Sequence, residues 1–140
     1  MQYQQFLEQV EKRTGLNSSG EAITAIRATL ETFADHLAGN APAKLAAQLP
    51  EEIAKFVTDY KSDPEAEGEG FGVEEFVQRV AERIGLKDKE TARKHAITVL
   101  SVVQEAISPG EWEKLSGTFP AEYKTLFEAE HSDVLSARQF

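Results

Sequence analysis

An all-α fold, a duplicated helical bundle with about four helices per repeat, one of them short, is what this chain predicts, and three observations predict it. The segment Phe6–Leu16 reappears as Phe76–Leu86, and the offset of 70 (76 minus 6) holds without a gap through Pro50/Pro120 and Glu52/Glu122. Apolar residues in both copies recur at i, i+3, i+4 and i+7, the period of one helical face. No stretch reads as a credible strand. Identical pairs at the offset include Phe6/Phe76, Val10/Val80, Arg13/Arg83, Gly15/Gly85, Leu16/Leu86, Ala22/Ala92, Leu30/Leu100, Lys44/Lys114 and Leu45/Leu115. These are mostly core and capping residues, so what repeats is what builds a fold.

In the first helix Tyr3, Phe6, Leu7 and Val10 form the apolar face, Arg13 falls in the last turn and Gly15 supplies a left-handed C-cap. Val73, Phe76, Val77, Val80 and Ile84, then Arg83 and Gly85, fill the same roles in the second copy. A cation in the last helical turn is favoured by the macrodipole, which accounts for the recurring arginine. The second helix is longer. It starts near Ser18/Ser19 or Asp88 and carries Ala22, Ile26, Leu30, Phe33 and Leu37, or Ala92, Ala96, Leu100, Val103 and Ile107.

Gly39-Asn40 and Ser108-Pro109-Gly110 break the chain before a short helical turn at Pro42–Gln48 and Glu111–Ser116. A fourth helix begins at Pro50 or Pro120, where a missing N–H costs nothing, and Glu52 or Glu122 meets the positive end of its dipole. Its apolar face is Ile53, Phe56, Val57 and Tyr60, or Tyr123, Leu126 and Phe127. The organisation is therefore repeat 1 at 1–60, an acidic Gly-rich linker at 61–72 that reads as solvated, repeat 2 at 73–130 and a tail at 131–140. A copy of about 55 residues alone would be marginal, since a chain of about 60 residues buries only about 60% of its unfolded surface, so two pseudo-symmetric halves packed as one body are expected.

The stretches Phe6–Leu16, with its Phe-Leu-x-x-Val start and Arg-x-Gly-Leu end, Ala47–Glu52, with Leu-Pro-x-Glu, and Phe76–Leu86 together resemble the uncharacterised prokaryotic family called domain of unknown function 2267. The resemblance runs through about Phe127, departing at Gly117–Glu122, where Phe119 stands for Leu49. It implies a two-repeat helical bundle and carries no activity, cofactor or site residue with it.

Composition narrows the function classes. A hydrophobic share of 41% with 28% charged residues describes an ordinary globule, and no apolar stretch approaches the roughly 18 residues of a membrane span. The first residues lack the basic and apolar regions of a signal peptide, so the cytoplasm is the expected location. With no Cys there is no disulfide, thiolate chemistry or Cys-ligated metal. A net charge of −9 with scattered Lys and Arg works against nucleic acid and anionic lipid.

Among motifs, Asp63, Glu65, Glu67, Gly68 and Glu74 fall at positions 1, 3, 5, 6 and 12 of an EF-hand-like calcium loop. Glu where shorter Asp or Asn fits, and Pro64 at position 2, count against it. Glu128-x-x-His131 has the spacing of half a helical di-iron site and lacks the second half. His36 and His95 face Ala106 and Ala25 at the repeat offset, and read as surface or boundary residues rather than catalytic bases. Gly68, Gly70 and Gly72 follow no strand and are flanked by acids that would repel phosphate. No Ser or Thr sits in a nucleophile elbow. Trp112 stands where the first copy has Pro42, and either caps the core or anchors a partner.

These readings lead to a non-enzymatic binding or regulatory module acting through protein–protein contacts, with an unidentified partner or a second copy, at a groove between repeats or through Trp112, Val134, Leu135 and Phe140. The alternative is a small-ligand or calcium-like metal-binding protein using Asp63, Glu65, Glu67 and Glu74 or carboxylates between the repeats. No cofactor, nucleic acid or membrane partner is expected.

Overall fold

The computed structural model describes residues 1–128, and His131, Val134, Leu135 and Phe140 lie outside them. Every regular element among the described residues is helical: α1 Tyr3–Thr14, α2 Ser19–His36, α3 Ala41–Gln48, α4 Glu51–Thr58, α5 Val73–Ile84, α6 Lys89–Ala106, α7 Pro109–Ser116, a single 3-10 turn Ala121–Tyr123 and the one-turn α8 Lys124–Phe127. Both bounds of α1 and α5 are 70 apart (3 to 73, 14 to 84), as are those of α2 and α6 (19 to 89, 36 to 106).

Local chemistry explains these bounds. Gly15 and Gly85 end α1 and α5 at φ of 75° and 88°, a left-handed conformation that a Cβ would strain. The Ser18 hydroxyl accepts the Glu21 amide at 3.2 Å to start α2, and the Asp88 carboxylate accepts the Glu90 amide at 3.0 Å to start α6. The Thr91 hydroxyl and that amide hold the Asp88 carboxyl below its ordinary range. Pro109 opens α7 two residues before the expected start, because a proline ring is preset for the first helical position.

The central pair, α2 and α6, pack against each other; α5 lies against both, and so does α1. Their inward residues form one core from the two halves. Phe6, Val10, Ile26, Leu30, Phe33, Phe76, Val80, Ala96, Leu100 and Val103 are fully buried. Buried hydroxyls find partners within their own helices: Thr29 and Thr32 donate to the carbonyls of Ala25 and Ala28, both at 2.8 Å. No buried side-chain polar atom among the described residues lacks a partner.

Two expectations change. The fourth helix of the second half is a 3-10 turn followed by α8, and Glu122 caps a different helix from its own. Its carboxylate accepts the Val73 amide at 2.6 Å, at the start of α5, while the Tyr123 hydroxyl donates to the Phe71 carbonyl at 2.7 Å. Burial pushes the Tyr123 hydroxyl well above the ordinary tyrosine range, with the Glu122 charge acting in the same direction. The recurring arginines also do more than meet a macrodipole. Arg83 of α5 reaches Asp35 and Thr32 of α2, and Arg13 of α1 reaches Glu105 and Ser101 of α6, so each crosses to the other half.

The two crossings differ in burial, with the side chain of Asp35 5% exposed and that of Glu105 46% exposed. Asp35→Ala removes the carboxylate that two guanidinium groups share and is expected to cost about 3 kcal/mol, the low end for a broken buried pair because Arg79 keeps Glu69 and Glu75 and Arg83 keeps Glu31 and Thr32. Glu105→Ala is expected to cost less than about 1 kcal/mol. Urea unfolding of the two variants compares them directly.

Candidate functional site

The last turn of α2 carries the densest polar cluster among the described residues. One oxygen of the Asp35 carboxylate accepts a short hydrogen bond from the Tyr60 hydroxyl. The other accepts from Arg79 and from Arg83, each at 2.9 Å. Arg83 also donates to Thr32 Oγ1 and to the Tyr60 oxygen, both at 2.7 Å, and Arg79 holds Glu69 at 3.1 Å while its guanidinium lies 4.0 Å over the Phe71 ring. Bonding to Glu69, ahead of that to Glu75 and Asp35, raises the Arg79 pKa further, so it stays a fixed cation. Burial and then the Asp35 bond push the Tyr60 hydroxyl up to about 12.

Sequence reading missed Asp35, Arg79 and the polar role of Tyr60. A signal was present, since acids stand at both 35 and 105, 70 apart, opposite arginines at 83 and 13. The arginine at 79 has no such echo, because position 9 is Gln.

The same turn anchors residues 61–72. The carbonyl of Asp35 accepts the Glu69 amide at 2.9 Å and the Lys61 ammonium at 3.1 Å, and the Gly39 amide donates to the Ala66 carbonyl at 3.1 Å. Side chains at 62–65 are exposed, as a solvated linker implies, yet the backbone is tied down as a strap across the end of α2. Gly68 is required by that closeness: a Cβ there would sit 1.9 Å from the His36 carbonyl oxygen.

Of the calcium-loop candidates, Asp63 accepts the Glu65 amide at 2.9 Å, and the Glu67 carbonyl accepts from Lys61 at 3.3 Å. Glu74 lies on α5 and pairs with Arg93 of α6 at 2.7 Å. No three His, Cys, Asp or Glu among the described residues come together as a metal-holding group. Glu128 is exposed, and its sequence partner His131 is outside the described residues.

Trp112, partly buried, stacks near Phe33 with centroids 6.0 Å apart and meets Phe127 edge-on at 5.1 Å. Phe119 lies at the heart of the same aromatic cluster, 4.8 Å from Phe33 and 3.8 Å from the His36 ring. An open cleft of about 450 Å³ adjoins it, with Trp112, Lys124 and Phe127 in its wall.

A more apolar groove, of about 320 Å³, opens where the ends of α1 and α5 meet α2 and α6. Leu16 and Leu86 form matched walls, joined by Ile84, Ala25 and Thr24. The match fails at Ala25, whose counterpart 70 residues on is His95. Burial pushes the His95 imidazole below its ordinary range, opposed by the Glu21 carboxylate. Exposed Lys87, Lys89 and Lys94 neighbour Leu86 and His95 in the chain.

A helical bundle with one shared core, a polar crossing and an apolar groove between its halves is the class of protein these features define. The family model described as "Uncharacterized conserved protein (DUF2267)" matches residues 3–126, and the chain belongs to that family. No curated protein matches it.

Two outcomes follow from the strap and the hub. Gly68→Ala is expected to lift the strap and speed hydrogen exchange at the Glu69 amide, leaving α1 and α6 amides unchanged. The raised Tyr60 pKa means that the folded state keeps a proton the unfolded chain loses near 10, so stability falls as pH rises from 10 towards about 12. Thermal unfolding over that range is expected to show the fall, with a shallower slope in Tyr60→Phe.

Proposed function

We propose that this chain is a non-enzymatic binding module that receives an apolar, acid-flanked helical segment of a partner protein in the groove between its halves. The groove carries the reading. Leu16, Ile84 and Leu86 stay partly exposed around it, whereas most of the remaining apolar residues of α2, α5 and α6, Ile23 and Ala106 apart, are buried. Exposed apolar patches rimmed by polar residues mark interaction sites in soluble proteins. A slot between helices suits side chains at helical spacing from one face of a partner helix.

Charge supports an acidic partner. The protein has a net charge of −9, yet exposed Lys87, Lys89 and Lys94 neighbour the groove residues Leu86 and His95 in the chain and match in number Asp88, Glu90 and the groove-lining Glu21, so an acidic segment is better received here than on the rest of the surface. The same lysines disfavour a second copy, because a two-fold contact through this face would set them against themselves. On our reading of the chain as a duplication, the groove lies where the copies meet, and Ala25 against His95 marks the side on which they differ.

The test compares capture by the full-length protein, Leu86→Asp, Lys94→Glu and a control, Lys44→Glu, on α3. A protein retained by the wild type and the control, and bound about tenfold more weakly by both groove variants, supports the reading. Equal retention by all four, or retention of nothing, overturns it.

A further inference from the structure

His36 closes α2, and both edges of its ring are engaged. Nδ1 lies 3.1 Å from the Glu69 carbonyl oxygen in the strap, and Nε2 lies 2.8 Å from the Thr118 carbonyl oxygen, between α7 and the 3-10 turn. A carbonyl oxygen only accepts hydrogen bonds. A neutral imidazole has one N–H and one lone pair, so it satisfies one carbonyl and turns a lone pair on the other; the imidazolium donates to both. We propose that His36 is a proton-operated latch, which ties the strap to the Thr118 turn when doubly protonated and releases one end when it loses a proton.

The surroundings restrict the ring to this choice. It stacks on Phe119 with centroids 3.8 Å apart and planes 24° apart, and meets Phe71 edge-on at 6.2 Å. Turning the ring over would present carbon atoms to the two carbonyls. The elements packed against it carry, as charged and titratable groups, Glu31 and Asp35 on its own helix, Lys61, Glu67 and Glu69 in the strap, Glu75, Arg79 and Arg83 on α5, and Glu122 and Tyr123 in the 3-10 turn. They are engaged with one another. Arg79 holds Asp35 and Glu69, Lys61 donates to the Asp35 and Glu67 carbonyls, Glu122 caps α5 and the Tyr123 hydroxyl donates to Phe71. The ring nitrogens therefore meet the two backbone carbonyls.

Release matters because the strap's other ties, the Glu69 amide to Asp35, the Gly39 amide to Ala66, the Lys61 ammonium to Asp35, Arg79 to the Glu69 carboxylate and the Tyr123 hydroxyl to Phe71, do not reach the Thr118 turn, and Gly68 lies directly against the His36 carbonyl. The direction follows from the donor count. Only the charged ring has two N–H groups, so the strap is closed while the ring is doubly protonated and loosens once a proton is lost to base. The latch stands independently of the groove and its partner.

Two-bond ¹H–¹⁵N correlation spectra of the full-length protein report the protons on each ring nitrogen, and hydrogen exchange reports the strap. The expected result is two ring N–H groups on His36 wherever the strap is closed, with protection of the Glu69 and Gly39 amides falling at least about tenfold as the ring becomes neutral, while α1 and α6 amides hold theirs. His36→Phe keeps the stacking and removes both donors; its strap is expected to be open at every pH. A single neutral tautomer of His36 beneath a protected strap overturns the latch, and so does an unchanged pH dependence in His36→Phe. The spectra of the unsubstituted protein decide the question even where the variant folds poorly.

Discussion

A buried carboxylate between two arginines is the constraint on which the rest of this bundle depends. Asp35 has its charge taken out of water at the end of the central helix α2, which is tolerable only because Arg79, Arg83 and Tyr60 all reach it. Those residues come from α5 and from the turn just beyond α4, so satisfying one carboxylate fixes three segments relative to one another. Apolar packing supplies most of the driving force for the core, but it is non-directional. The crossing supplies direction, since a guanidinium fork accepts few geometries.

Around that point the halves are unequal. The Arg13 crossing to Glu105 and Ser101 is wetter, and position 9 offers Gln where the other half has Arg79. Among the described residues, only the Asp35 end has a strap, an aromatic cluster and a histidine bridging two carbonyls. The groove sits elsewhere, at the Leu16 and Leu86 turns, and there too the halves differ by Ala25 against His95. What is shared builds the frame, and the candidate sites lie where sharing stops.

Much of the frame was legible from sequence because its causes are local. A glycine needing positive φ at Gly15 and Gly85, hydroxyl and carboxylate caps at Ser18 and Asp88, and apolar residues four apart from Ala22 to Leu30 are all written within a few positions. The polar site depends on contacts between residues 25, 44 and 48 positions apart. Tyr60 looked like one more member of an apolar face and is a polar partner of Asp35; residues 61–72 looked solvated because most of their side chains are, whereas Phe71 is buried and their backbone bonds are set by where α2 ends. Ile84 fitted the apolar face of α5 equally well, and only the meeting of four helix ends leaves it beside an opening.

Because α1 and α5 each lie against both α2 and α6, neither half is complete without a helix that belongs, along the chain, to the other. The covalent link through 61–72 is therefore not what joins them. A single nick at the exposed Ser62–Glu65 stretch would leave two fragments still held by both arginine crossings and the common core, whereas either fragment alone would present an unmatched apolar face and half of each ion pair. Integrity in this molecule is a property of interlocking rather than of chain continuity.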